Sequence, residues 1–443
     1  LKTKLILFVA LISSIATFSQ KKWTLKECVD QALEKNITIQ QNKLSLEIAE
    51  TDLKSTKGNF LPSVSASTGG NLSAGSNFDP VTNNRSASTT FFGGSVGLSA
   101  GITVFNGYRN LNLYKQAKLG IESSKLDLEK IENDISLFVV NGYLNVLFAK
   151  ENLEVAKVQA EISKKQIKAA NDRFEAGAIA KGELLNFKST AANDLQNVIT
   201  QENALDLALL NLAQLLQVPA EGFDVAPIDV GSPSSDLLYK SSSSVYDKSL
   251  ARMPEIQRAK LAIENAALGI EISKSSYLPT VTSSIFANSN YRYIIKPSGV
   301  PTGSFFDQLD GNLGYGVGFN VNIPIFNGFK TDANVSRSKI NKEIFETRLE
   351  SEKLTLKQTI EQAFLDVKSS LKAYEAAKIS LEAQKEAFKN AQERYNYGAM
   401  TLFDFDLVRT RLVNAEGLMI RSKYDYVFKT KVLQFYSGEL VLE

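Results

Sequence analysis

The residues of this 443-residue chain best placed for chemistry are carboxylates beside two glycine turns. One stretch reads Arg173-Phe-Glu-Ala-Gly177-Ala178 and is followed by Glu183. The other reads Arg394-Tyr395-Asn-Tyr-Gly398-Ala399-Met-Thr401-Leu-Phe-Asp404-Phe-Asp406. Thr401 and Asp404 have capping-box spacing, in which hydroxyl and carboxylate satisfy free N–H groups at a helix start. A carboxylate there also favours the helix dipole. Glu183 holds the equivalent place after Ala180, and Gly177 and Gly398 suit a left-handed turn. Covalent and metal chemistry have little to work with. Histidine is absent and Cys28 stands alone, which removes Ser-His-Asp and Cys-His machinery, His-ligated zinc and any disulfide within the chain. No G-x-x-x-x-G-K-[ST] loop is present to cradle a phosphate. The reading is therefore no enzyme and no cofactor. With 50 Lys+Arg against 48 Asp+Glu, a nucleic-acid partner is not expected either.

Those carboxylates must be positioned by something, and the chain begins with an address. Lys2 and Lys4 precede the apolar run Leu5 to Ile15, followed by small and polar residues to Gln20. This pattern reads as a secretory signal over residues 1–20; the run is shorter than the roughly 20 residues a membrane-spanning helix needs. No later segment is apolar enough to span as a helix.

The remainder is written twice. Asn59-Phe-Leu-Pro62 returns as Ser276-Tyr-Leu-Pro279, an offset of 279 − 62 = 217. Val104-Phe-Asn-Gly107 returns as Ile325-Phe-Asn-Gly328, and Gly177 returns as Gly398, where 328 − 107 and 398 − 177 both equal 221. The expected organisation is a first repeat over 21–217, a linker over 218–250 rich in Ser with Pro219, Pro227 and Pro233, and a second repeat over 251–443. Each repeat is expected to run helix, strand pair, long helix, tight turn, helix. Thr24 is the expected first N-cap, and Leu61-Pro62 and Leu278-Pro279 mark where helices give way to strands.

Apolar and small residues recur at 3/4 spacing through the long helices. The first series includes Ile135, Phe138, Gly142, Val146, Ala149, Leu153, Ala156, Ser163, Ala170 and Phe174; the second includes Leu356, Ile360, Val367, Ser370, Tyr374, Ala377, Phe388, Ala391 and Tyr395. Such a register predicts antiparallel coiled-coil hairpins, with residues 121–174 alone reaching roughly 80 Å. The stripe is narrow, so more than one hairpin must pack together.

Residues 313–325 alternate almost without error. Leu313, Tyr315, Val317, Phe319, Val321, Ile323 and Ile325 face one way; Gly, Asn and Pro324 face the other. The partner in the first repeat places Val96, Leu98, Ile102 and Val104 against Gly, Ser and Thr. Weaker runs at Ser63–Ala74 and Val281–Tyr293 supply two more strands. Period two with an uncharged polar face fits strands of a transmembrane barrel whose apolar side meets lipid. Phe91, Phe92, Phe105, Tyr108, Phe326 and Phe329 fit an interfacial girdle. Four strands cannot close, and open edges in lipid leave backbone groups unpaired. Copies of the chain must complete the barrel: two give 8 strands and three give 12.

These motifs, twice in one order, resemble the TolC-type outer-membrane efflux proteins across essentially all of the mature sequence. The resemblance implies an internally duplicated α+β membrane protein with long helical hairpins and a homotrimeric, 12-stranded transmembrane barrel in outer-membrane lipid. It implies a passive conduit for efflux or type I secretion, with its helices in the periplasm. It further implies docking of a periplasmic adaptor at Gly177, Ala178, Gly398 and Ala399, and an inner-membrane pump or ABC exporter that supplies energy. At the periplasmic entrance the family places carboxylates and closing contacts, which map onto Asp404, Asp406, Glu183 and Tyr395. Two departures stand out. Leu407 occupies the place of a second gate aspartate, leaving Asp406 as a displaced substitute, and Met400 replaces the arginine that would partner Glu183 and Tyr395. Two other readings stay open at this point: a periplasmic adaptor, or a structural coiled-coil protein of the envelope.

Overall fold

The computed structural model describes residues 22–76, 78–79, 81, 83–85, 89–228, 239–295 and 303–439; the expected signal over 1–20 lies outside them. Helices α1 (Leu25–Lys35) and α2 (Ile37–Gly58) lead to strand β1 (Ser63–Gly75). Strand β2 (Thr89–Asn106) feeds α3 (Arg109–Glu175), which returns as α4 (Lys181–Leu216). The second half repeats the order with α5 (Ser242–Arg252), α6 (Pro254–Lys274) and β3 (Thr280–Ile294). A short helix α7 (Phe305–Gly311), β4 (Gly314–Asn322), α8 (Lys330–Asn396) and α9 (Leu402–Ser437) complete it. The two long helices have 67 residues each, and their return helices 36 each. Helix α5 starts inside the stretch expected to be a linker.

Local chemistry explains the joints. Thr24 caps α1 in a capping box with Glu27, as its sequence suggests. Asn36 and Met253, 217 residues apart, interrupt the first helix of each repeat in the same extended conformation. At each strand-to-helix corner two consecutive residues adopt positive φ, Gly107-Tyr108 and Gly328-Phe329. The preceding asparagines steady these corners: Asn106 Oδ1 accepts from the Asn110 N–H at 3.2 Å, and Asn327 donates to Thr331.

The chain forms two compact units. The first comprises Leu1–Leu44, Leu126–Gln257 and Glu350–Glu443. Its core buries the predicted seam, including Ile135, Val146, Ala149, Leu153, Ala156, Leu356, Ile360, Val367, Tyr374 and Ala377. Gly142 lets Leu212 of α4 approach so closely that a Cβ there would meet its side chain at 3.3 Å. Tyr143 is fully buried and its hydroxyl reaches the carbonyls of Ala226 at 2.7 Å and Trp23 at 3.1 Å. Two seam expectations need correction. Phe138 remains 59% exposed and Phe174 is also exposed, because Val139, Val140 and Tyr143 take the inward positions around Phe138.

The second unit comprises Ser45–Lys125 and Arg258–Leu349. Its four strands form one antiparallel sheet in the order β1-β2-β3-β4. The pairing puts Val96 and Leu98 of β2 and Ile285 of β3 on one face with Tyr315, Val317, Phe319 and Val321 of β4. That face stays bare, with Tyr315 at 83% and Phe319 at 74% exposed. Ile102 shares the face and is half-buried. Val104 sits at a bulge between Thr103 and Phe105 and is exposed. The last strand is shorter than its alternation suggests. It spans nine residues and stops at Asn322, so Leu313 and Ile323 flank it; Pro324 has no N–H to continue the ladder.

Helix α7, which the sequence reading missed, finishes an edge. Beyond the Asn288–Gly314 pair, β4 no longer accompanies β3. There Gln308 Oε1 accepts from the Arg292 N–H, and Asn312 Nδ2 donates to the Asn290 carbonyl, both at 2.7 Å. Ser289 Oγ donates to the Leu309 carbonyl at 2.7 Å. Side chains of one helical turn thus replace a strand.

Candidate functional site

The two hairpin turns lie in the first unit and are built alike. Gly177 and Gly398 have φ of +71° and +72°. In both turns the glycine N–H donates three residues back and the following alanine N–H donates five residues back, Ala178 to Arg173 and Ala399 to Arg394, each at 2.8 Å. This closes the carbonyls that a helix end leaves free. The helix ends entering and leaving the turns pack around one apolar cluster. Ala170, Leu184, Phe187, Ala391, Leu402 and Phe405 are buried, with Tyr395 and Met400 against them. Hydrophobic packing therefore joins both hairpins at their turns, and Met400 belongs to that cluster.

Tyr395 and Glu183 are brought together. The Tyr395 hydroxyl donates to Glu183 Oε1 at 2.9 Å. Burial, then the hydrogen bond to Glu183, push the Tyr395 hydroxyl up to about 12, so it keeps its proton and serves as donor. Its ring stacks on Phe405 with centroids 5.1 Å apart. The Arg173 guanidinium lies 5.8 Å from the ring centroid, supplying a cation where Met400 cannot.

Glu183 does not cap α4. Ala180 has no side-chain oxygen to complete a box, and the Glu183 carboxylate is turned to Tyr395 instead. Thr401 caps α9: its Oγ1 accepts from the Asp404 N–H at 3.1 Å, and its hydroxyl donates to Asp404 Oδ2 at 2.7 Å, so the Asp404 carboxylate steadies the capping hydroxyl. Asp404 remains exposed.

Asp406 lies elsewhere, half-buried, with Oδ1 3.9 Å from Arg409 Nε. Burial pushes its carboxyl above the usual range. The nearby Asp194 adds to the rise, while Arg409 and a hydrogen bond with Thr190 oppose it. Arg409 is the residue that sequence reasoning missed. It is 6% exposed and grips Asp194 with two guanidinium nitrogens, at 2.8 and 3.2 Å. The same guanidinium donates to Ser163 Oγ at 2.6 Å, and the Ser163 hydroxyl donates to Asp194. Removing one partner of such a buried pair leaves an uncompensated charge and costs about 3–5 kcal/mol. The signal available in sequence was the small, polar Ser163 in an otherwise apolar stripe.

Among the described residues no helix is long and apolar enough to cross a membrane, and no group of His, Cys, Asp or Glu is arranged to hold a metal ion. The family described as outer membrane efflux protein matches residues 28–217 and 245–439. The outer membrane protein TolC of Escherichia coli (strain K12) is 23% identical over 376 residues, covering 78% of this chain and 74% of that protein. The outer membrane efflux protein BepC of Brucella suis is 22% identical over 433 residues, covering 95% and 86%. The crystal structure of the Campylobacter jejuni CmeC outer membrane channel superposes with a TM-score of 0.74 at 20% identity, covering 95% of this chain and 86% of that one.

Proposed function

Because this chain belongs to the outer membrane efflux protein family and is an outer-membrane efflux channel, we propose that three copies close their sheets into one barrel of 3 × 4 = 12 strands. The observation that carries this is the sheet itself. Its β1 and β4 edges each pair on one side only among the described residues, and one face presents Tyr315, Val317, Phe319 and Val321 unburied. In hydrocarbon each unpaired backbone group costs several kcal/mol, so the strands require sister copies and their bare face requires lipid. The apolar positions Val96, Leu98, Ile102, Leu313 and Ile323 join that lipid face.

On this reading residues 1–20 direct export, and 21–217 and 251–443 are the two repeats joined by 218–250. The turns at Gly177-Ala178 and Gly398-Ala399 receive a periplasmic adaptor, and an inner-membrane pump or exporter supplies the energy. Opening separates Tyr395 from Glu183. Three Asp404 carboxylates at the entrance favour cations.

Two measurements test this. Purified in detergent, the chain is expected to have the mass of three copies; a water-soluble monomer needing no detergent overturns the barrel. In planar bilayers, Asp404→Ala is expected to lower cation selectivity while Thr401→Ala, which removes the α9 cap and keeps the carboxylate, is expected to preserve it. Unchanged selectivity in Asp404→Ala leaves that carboxylate only its bond to the Thr401 hydroxyl.

A further inference from the structure

The two hairpins are joined at two levels of different strength, through α8 at the turns and through α9 farther along. At the turns the link is one hydrogen bond from Tyr395 to Glu183 over an apolar cluster. Farther along α4 lies the Arg409–Asp194–Ser163 group, which ties α3, α4 and α9 together. Asp194 is eleven residues beyond Glu183, about 16 Å along the helix. Here the interior charge is highly committed. Arg409 is buried and doubly bonded, while its Nε and Asp406 Oδ1 are enclosed without a hydrogen-bond partner of their own. Any separation of α9 from α4 at this level would strand Arg409 and Asp194 as unpaired charges.

The group is present once, although the chain is duplicated. Applying the offset of 221, Arg409 corresponds to Lys188 (409 − 221) and Asp194 to Ala415 (194 + 221). Ser163 corresponds to Gln384 and Asp406 to Leu185. Lys188 is exposed and Ala415 buried, so the second hairpin has no counterpart. The clamp joins the two return helices through unlike residues, Arg409 of α9 and Asp194 of α4, and the repeat does not supply it a second time.

We propose that Arg409 is a positioning residue for channel opening, acting through Asp194 and Ser163 as the fulcrum at which separation of the hairpin turns stops. This rests on the reading that the channel opens at the turns. Below the fulcrum, a weak and partly exposed link gives way; at it, α9 stays with α3 and α4. The clamp thereby sets how much helix moves and how wide the entrance becomes.

The test uses the full-length channel in planar bilayers, with the fraction of time open as readout. Asp194→Asn, which keeps the side-chain volume, is expected to raise that fraction about tenfold or more. Arg409→Lys, which keeps the charge, is expected to fall between it and the native channel. A disulfide between Glu183→Cys and Tyr395→Cys is expected to return Asp194→Asn to the closed state. If Asp194→Asn does not fold, Arg409→Lys carries the test. Native-like gating in whichever of these two variants folds overturns the fulcrum. A native-background turn disulfide that leaves the channel free to open overturns the opening mode instead, so the two failures are separable.

Discussion

Glu183 and Asp404 stand 221 residues apart at equivalent places in the two repeats, yet only Glu183 reaches an aromatic hydroxyl. The difference comes from their neighbours. Ala180 cannot complete a capping box, which leaves Glu183 for Tyr395, whereas Thr401 engages Asp404. The repeat equivalent of Tyr395 is Phe174 (395 − 221), which has no hydroxyl to offer. Two nearly identical turns thus carry one cross-link between them.

Tyr395→Phe removes that hydroxyl while retaining the ring that stacks on Phe405. A hydrogen bond of this kind contributes about 1 kcal/mol net when partly exposed. The closed state is therefore expected to lose about fivefold in its ratio to the open state. Single-channel recording measures the ratio, and an unchanged value removes the bond from gating.

Asp406 makes stability depend on pH in a defined direction. Folding raises its pKa above the ordinary 3.8, chiefly through burial. Between 3.8 and the raised value the native chain holds more protons than the unfolded chain, so stability falls as pH rises through that window and stays lower above it. Asp406→Asn is expected to be more stable than the native chain near neutral pH, with the gap closing below 3.8. Thermal unfolding in detergent across that range checks the sign.

Within the chain, the turn glycines are required for their conformation and not for space. An added Cβ at Gly177 or Gly398 meets nothing within 4 Å, yet both residues have positive φ. Gly177→Ala and Gly398→Ala are each expected to cost about 1–2 kcal/mol. Asparagine, which tolerates the left-handed region, is expected to recover part of that loss. Equal melting temperatures for the Gly, Ala and Asn chains would contradict this.

Much of this architecture could be read before any coordinates. Constant spacing between Gly107 and Gly328, and between Gly177 and Gly398, located both repeats because turns need particular residues at fixed places. The Leu356-to-Ala377 stripe was legible because burial recurs with the helical period. What escaped depends on contacts between distant segments. Arg409 sits in the stretch Val408-Arg-Thr-Arg-Leu412, where its charge looks ordinary until α4 places Asp194 against it. Phe138 has the right spacing for the seam, but Val139, Val140 and Tyr143 occupy it. Helix α7 has seven residues, too few for a period to show, and β4 ended early because Pro324 breaks a ladder that alternation alone would extend.

The small helix beside β3 has a consequence for the chain before its copies meet. Exposed strand margins recruit any extended polypeptide nearby, and cells manage them by blunting. With Gln308 and Asn312 occupying the far margin of β3, stray strands find no template there. In the proposed trimer a sister chain registers on a β4 margin of nine residues, and the same turn sets where that zippering halts.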